Sequence, residues 1–374
     1  MSYRDRIAAP GPKKLLALDG GGIRGVITLE VLQQMQTMLA AQSGADDTFV
    51  LADYFDYVGG TSTGAIIAAG LSKGMRVEEL LDIYVTHGQD MFDKATLLHR
   101  LQHQYETDRL KHMLRQVLGA DTTLGSDDLR TLLLMIMRNA TTDSPWPLSN
   151  NPKAHYNDPS RPDCNLNLPL WQLVRASTAA PVYFAPELIR VGQHDFVFVD
   201  GGVTMYNNPA FQLFLMATMP QYRLRWPTGE SELLVVSVGT GTCPKGNDHL
   251  HPGGTNVLFN LASLPAALMF AALNEQDLLC RTFGRCRWGA PIDREVGDLL
   301  RDDGLLERRL FTYLRYNAEL TDTGLEALGL SDIVAQDVQK LDSVTHIDEL
   351  RRVGQAVAAD VRPEHFAGFL PAAT

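Results

Sequence analysis

Gly60-Thr61-Ser62-Thr63-Gly64 carries the clearest chemical signal in the chain. It fits G-x-S-x-G, in which flanking glycines let a serine sit on a sharp strand-to-helix turn with its hydroxyl exposed. Such a serine needs a base to take its proton and donors to hold a developing oxyanion. Asp19-Gly20-Gly21-Gly22-Ile23-Arg24-Gly25 offers the donors, because glycines leave backbone N–H groups unobstructed. The same stretch matches G-x-G-x-x-G from Gly20 to Gly25, so a phosphate-binding loop is the alternative; Asp46 and Asp47 stand where a ribose contact would fall, but follow no strand. For the base, His249, His251, His346 and His365 lie beyond Asp200, which formally allows a Ser, Asp, His order. That order belongs to a fold whose nucleophile follows several strands, whereas only about two strand candidates precede Ser62. None of these histidines has a catalytic-looking setting. Asp200, at the end of a strand and against Gly201-Gly202, is placed to meet Ser62 across the ends of the strands.

These residues need elements that bring three glycine-rich junctions together. Lys14–Leu18 is a short apolar run that reads as a buried strand and stops at the first glycine loop. Val26, Leu29, Leu32, Met35 and Leu39 then recur with the helix period. The pattern repeats with Tyr54–Val58 as a strand, Gly59–Gly64 as a tight turn and Ala65–Leu71 as a helix. Two strand-helix units in series imply an α/β fold with a largely parallel sheet. Val77–Arg138 reads as mostly helical and Thr142–Pro169, rich in Pro, Asn and Asp, as a long loop. Leu170–Ser177 is a helix, Phe196–Val199 the strand that delivers Asp200, Leu233–Val238 a further buried strand ending at Gly239-Thr240-Gly241, and Asn256–Cys280 a helix. Helix-like and loop-like stretches alternate to the end, and no linker marks an independent domain. Met91, Phe92, Leu97 and Leu98 suit core packing better than an interfacial lid.

The 374 residues hold 45% hydrophobic and 21% charged residues, which argues against disordered, collagenous and coiled-coil classes. A formal charge of −11 disfavours nucleic acid and anionic surfaces as partners of the whole chain. The N-terminus lacks the apolar stretch of a secretory signal, and the most continuous apolar segment, Leu261 to Leu273, contains Ser263 and Pro265. Cys164, Cys243, Cys280 and Cys286 have no CxxC spacing, so reduced thiols in a cytoplasmic protein and no metal site are expected. Arg281, Arg285 and Arg287, beside Phe283 and Trp288, form a basic-aromatic cluster suited to phosphates or a stacked base; ion pairs with Glu275, Asp277, Asp293 or Glu295 are the plainer reading.

Taken together, Asp19 to Gly25, Gly60 to Gly64 and Asp200-Gly201-Gly202 resemble the three ordered motifs of the patatin-like acyl hydrolases. Arg175-Ala-Ser-Thr-Ala-Ala-Pro-Val-Tyr-Phe-Ala-Pro186 and Val199-Asp-Gly-Gly-Val-Thr-Met-Tyr-Asn-Asn-Pro209 resemble the stretches flanking that family's aspartate. The resemblance implies a three-layer α/β fold with a mostly parallel sheet, with residues 14–241 as the catalytic core and 242–374 as a mainly helical segment packed on it. It further implies a Ser62–Asp200 dyad without histidine, an oxyanion hole at Gly21 and Gly22, and Gly20, Arg24, Gly25, Gly60, Gly64, Gly201 and Gly202 as motif residues, with Arg24 holding the loop or meeting a lipid phosphate. An ordinary aspartate, with a pKa of about 3.9, is a weak base at neutral pH, so the dyad requires burial or close positioning. The implied activity is hydrolysis of carboxylic esters in membrane phospholipids, without a cofactor, by a protein acting peripherally at the inner membrane surface. Some bacterial members of the family are anti-phage effectors switched on by cyclic nucleotides, which makes a cyclic dinucleotide an expected activator and Arg281, Arg285 and Arg287 its candidate site. The competing class is a non-catalytic lipid- or nucleotide-binding protein on the same fold.

Overall fold

Lys13–Leu18 (β1) takes partners on both sides, and its last four side chains, Leu15 to Leu18, are apolar and buried. It runs parallel to Tyr57–Thr61 (β2) on one edge and to Leu233–Val238 (β7) on the other. The computed structural model describes residues 2–45, 48–92, 107–181, 183–244, 257–293, 295–300 and 306–371. Asp46, Asp47, Leu97, Leu98, His249 and His251 therefore lie outside the described residues.

Among the described residues nine strands form one sheet in the order β5-β6-β3-β2-β1-β7-β9-β8, with β4 paired to β3. The remaining strands are Leu132–Asn139 (β3), Ser144–Ser149 (β4), Glu187–Val191 (β5), His194–Asp200 (β6), Arg285–Trp288 (β8) and Thr312–Tyr316 (β9). The run from β3 through β2, β1, β7 and β9 to β8 is parallel throughout, while β4, β5 and β6 pair antiparallel. Every residue of β2, β7 and β9 is buried, as parallel strands covered on both faces must be. The cover comes from helices such as Gly25–Ser43, Thr63–Ser72 and Ala210–Thr218, giving the expected α/β architecture with a mostly parallel sheet flanked by helices.

Several elements differ from the sequence-based expectation. The strand expected at Tyr54–Val58 begins later, because Leu51–Tyr54 is a helical turn; Gly59, Gly60 and Thr61 are strand rather than turn. Ladders on both sides, Ala17↔Gly59 with β1 and Gly59↔Leu134 with β3, override the poor strand propensity of glycine. The end of the stretch expected to be helical is β3, whose unbroken apolar run Leu132–Met137 has no period to separate a doubly buried strand from a helix. The expected loop at Thr142–Pro169 contains β4, where Pro145 and Pro147 are tolerated because the strand is an edge. Among the described residues the segment after 241 carries four α-helices and also inserts β8 and β9 into the sheet, so the sheet has no seam at that boundary. Met91 and Phe92 are buried in the core.

Candidate active site

One strand, β3, brings Ser62 and Asp200 together. β2 pairs with β3 from Tyr57↔Leu132 to Thr61↔Ile136 and then ends. β4 occupies the opposite edge of β3 from Leu134 to Asn139. β6 takes up the vacated edge one residue further on, at Met137↔Asp200. Ser62, the residue after Thr61, thereby faces Asp200, the residue at which β6 enters. The hydroxyl of Ser62 donates to Asp200 Oδ2 at 2.6 Å.

The backbone of Ser62 shows why the flanking glycines are needed. With φ 55° and ψ −121° it occupies a region that a residue with a side chain adopts only under strain. The strain comes from turning directly from β2 into the helix Thr63–Ser72. That turn packs Gly60 and Gly64 against each other and against β1: a Cβ on Gly60 would stand 2.0 Å from the Gly64 carbonyl oxygen, and one on Gly64 would stand 2.3 Å from that of Leu18. The helix also aims its N-terminal dipole at the serine.

Asp200 is 4% exposed, and burial pushes its carboxyl up to about 6. The Ser62 hydroxyl, the N–H of Gly202, which donates to Oδ1 at 2.6 Å, and the charge of Arg175 pull the other way and leave the group below neutrality. The result is a carboxylate that is ionised at pH 7 and still a stronger base than a solvated aspartate. Among the described histidines, His346 lies beside Asp337 and Glu349, and His365 is hydrogen bonded to Tyr316 and stacked on Trp288.

The loop after β1 lies beside this pair, since a Cβ on Gly20 would be 3.3 Å from Ser62 Cβ. Its flanking N–H groups are engaged: Gly20 donates to Asn207 O, Ile23 to Leu341 O and Arg24 to Gly21 O. Gly21 and Gly22 make no such backbone bond among the described residues. Gly22 has φ +59°, and a Cβ there would be 2.3 Å from Leu341 O, so only glycine fits both the conformation and the space. Asp19, fully buried, anchors the start of the loop through a bidentate pair with Arg315 of β9, at 2.9 and 2.6 Å. Arg24 donates to Cys243 Sγ at 3.0 Å and to Gln339 O at 3.3 Å, which gives it a loop-holding contact with the C-terminal segment.

The arginine cluster is not a common surface, which corrects the activator-site expectation for Arg281. That residue is 2% exposed, grips Asp277 with two hydrogen bonds and donates a third to Asp298 O. Its guanidinium is committed to an interior ion pair one helical turn away. Arg285 pairs with Glu230, and Arg287 donates to Ala367 O and lies over Phe369. Sequence reasoning missed Arg315, Leu341 and Thr240, the last of which donates to Gly20 O. Gly239-Thr240-Gly241, at the end of a strand, was the visible signal for Thr240; Arg315 and Leu341 lie in stretches, Leu314–Leu320 and Leu341–Ile347, that resemble the C-terminal part of bacterial family members, without a cue to contact with this loop.

The arrangement has the parts of an acyl-transfer site: a hydroxyl on a strained turn, a buried base in contact with it and unengaged N–H groups alongside. Comparison with known proteins bears on the family of the chain. The family model described as patatin-like phospholipase matches residues 16–214. A cGAMP-activated phospholipase of Escherichia coli (strain TW11681) is 28% identical over 234 residues, which are 61% of this chain and 62% of that protein. An intracellular phospholipase A2 of Caenorhabditis elegans is 30% identical over 237 residues, 62% of this chain and 20% of that protein. Patatin-17 of Solanum cardiophyllum is 26% identical over 253 residues, 61% of this chain and 60% of that protein. The matched region thus spans less than two thirds of each of these relatives. With its three glycine-rich junctions converging at the ends of a mostly parallel sheet, the chain belongs to the patatin-like phospholipase family.

Proposed function

We propose that the protein is a serine lipid acyl hydrolase that releases fatty acids from membrane phospholipids. The observation that carries this reading is the 2.6 Å hydrogen bond from the Ser62 hydroxyl to a buried Asp200. Asp200 takes the Ser62 proton as Oγ bonds to the ester carbonyl carbon. The oxyanion of the tetrahedral intermediate accepts from the N–H groups of Gly21 and Gly22. Asp200 returns the proton to the departing alcohol, leaving the acyl group on Ser62. Water then attacks the acyl-enzyme with Asp200 as base, the carbon–Oγ bond breaks, and fatty acid and free serine result.

Among the described residues no helix is long and apolar enough to cross a membrane, so this reading has the enzyme meet its substrate peripherally. Two relatives carry names that specify activation by cGAMP. We extend that to a cyclic dinucleotide as activator of this chain, with residues 242–374 as the regulatory part. Support comes from the contacts of that segment with the oxyanion loop, Leu341 O to Ile23 N–H and Gln339 O to Arg24. A ligand that displaced residues 339–341 would release two of the loop's supports.

The test is fatty acid release from mixed phospholipid vesicles by wild type, Ser62→Ala and Asp200→Asn, each with and without a panel of cyclic dinucleotides. Release by wild type alone, raised by one nucleotide, is the expected result. No release under any condition, with lipid or nucleotide still bound, would instead establish the non-catalytic binder.

A further inference from the structure

Both members of the Ser62–Asp200 pair are held by one short segment, the end of the helix Leu170–Ser177 and the two residues after it. Ser62 lies one residue beyond the last pair of the β2–β3 ladder, where its N–H has no strand partner. That N–H donates to Ser177 Oγ at 3.0 Å. The Ser177 hydroxyl in turn donates to the carbonyl of Ile136 at 2.6 Å. The side chain of Ser177 therefore stands in for a missing rung of the sheet: it accepts from the nucleophile's backbone and passes the bond on to β3. Two residues later, the carbonyl of Ala179 accepts from the N–H of Asp200 at 2.9 Å. The Ile136 carbonyl also limits the space at Gly201, where a Cβ would stand 2.3 Å from it.

We infer that Ser177 is a positioning residue for the acyl-transfer reaction, setting the distance between the Ser62 hydroxyl and Asp200 and holding Ser62 in its strained turn. The inference rests on the proposed hydrolase reading. Ser62 has a positive φ with a side chain, a conformation that persists only where its surroundings hold it, and the bond to its N–H is one of those holds. Ser177 is fully buried, so loss of its hydroxyl leaves its hydrogen-bond partners facing the interior. A serine at this point satisfies one buried donor and one buried acceptor, which an alanine would leave unpaired together. A displacement of the nucleophile by about 1 Å is enough for a roughly 100-fold loss of rate, and substrate contacts remote from the turn are untouched.

The experiment compares wild type, Ser177→Ala and Ser177→Thr in hydrolysis of a soluble ester, p-nitrophenyl butyrate, with the melting temperature of each recorded. Positioning requires kcat of Ser177→Ala to fall by about 10- to 100-fold with KM within about twofold, and Ser177→Thr, which keeps the hydroxyl, to recover most of kcat. A lower melting temperature with unchanged kcat would make Ser177 a purely structural residue and overturn the inference while leaving the hydrolase reading intact. Wild type that neither turns over the ester nor reacts with a fluorophosphonate, with or without the panel of cyclic dinucleotides, would overturn the hydrolase reading and this inference with it. Should Ser177→Ala fail to fold, Ser177→Cys, of similar shape but a weak donor, is read by its rate of fluorophosphonate labelling of Ser62; a rate equal to wild type overturns the inference, and one at least about fivefold lower supports it.

Discussion

Asp19 and Asp200 look alike in the sequence and behave differently in the structure. Each ends a strand, each is followed by glycines, and each is buried, 1% and 4% exposed. Asp19 is gripped by both guanidinium nitrogens of Arg315, which also donates to Ser237. Among the described residues a hydroxyl and one backbone N–H are the hydrogen-bond donors to Asp200, and the charge of Arg175 acts on it without a bidentate grip. A buried carboxylate paired bidentately with arginine is a fixed charge that can anchor a loop. Burial pushes both carboxyls up, but only Asp200 of the two has a hydroxyl in contact with which it can exchange a proton. The partner, not the residue type or its glycines, separates an anchor from a base.

Breaking the anchor gives the largest effect on the fold. Arg315→Met leaves the Asp19 carboxyl, which burial already pushes up, without its cation in the interior, and loss of one partner of a buried pair costs about 3–5 kcal/mol. Chemical denaturation at pH 7 is expected to show that loss. A change below about 1 kcal/mol would mean that Asp19 is not an ion-pair anchor.

Relieving the base gives a smaller effect of opposite sign. The Asp200 pKa is raised from 3.8 to about 6, so the fold favours its protonated form. That preference stabilises the fold fully below the unfolded pKa and is lost as pH rises through about 6. At pH 8 the carboxylate therefore costs about 3 kcal/mol relative to a neutral side chain. Asp200→Asn is expected to abolish ester hydrolysis and to unfold at higher temperature than wild type at pH 8, with the gap closing towards pH 4. A variant less stable than wild type at pH 8 would show Asp200 to be a structural partner like Asp19.

The two aspartates also mark how far the sequence could be read. The glycine junctions were visible because their constraint is local: a strand that turns sharply into a helix excludes Cβ atoms within five residues, as at Gly60 and Gly64. The parallel sheet followed from repeated strand-helix units. Arg315 lay in a stretch, Leu314–Leu320, that resembles the C-terminal part of bacterial family members, but its pairing was not visible, because it stands 296 positions from Asp19. Nor was β3 visible, since strands buried on both faces lose the alternation that would reveal them. Ser177 lay within a stretch that resembles the family, yet only the register of three strands on β3 shows that its hydroxyl meets Ser62. The ion pair that was the plainer reading of the arginine cluster holds at Arg281, although the sequence could not single out Asp277 among several acidic neighbours.

The central claim is that Asp200 is the base that activates Ser62, and the rate at which a fluorophosphonate labels Ser62 between pH 4 and 8 tests it most directly. In wild type the rate should climb about tenfold per pH unit below about pH 6 and level off above it, as Asp200 loses its proton. In Asp200→Asn it should be lower by about 100-fold or more at the plateau and show no inflection near pH 6. Labelling of Asp200→Asn at the wild-type rate, or a wild-type profile flat through pH 6, would contradict the account.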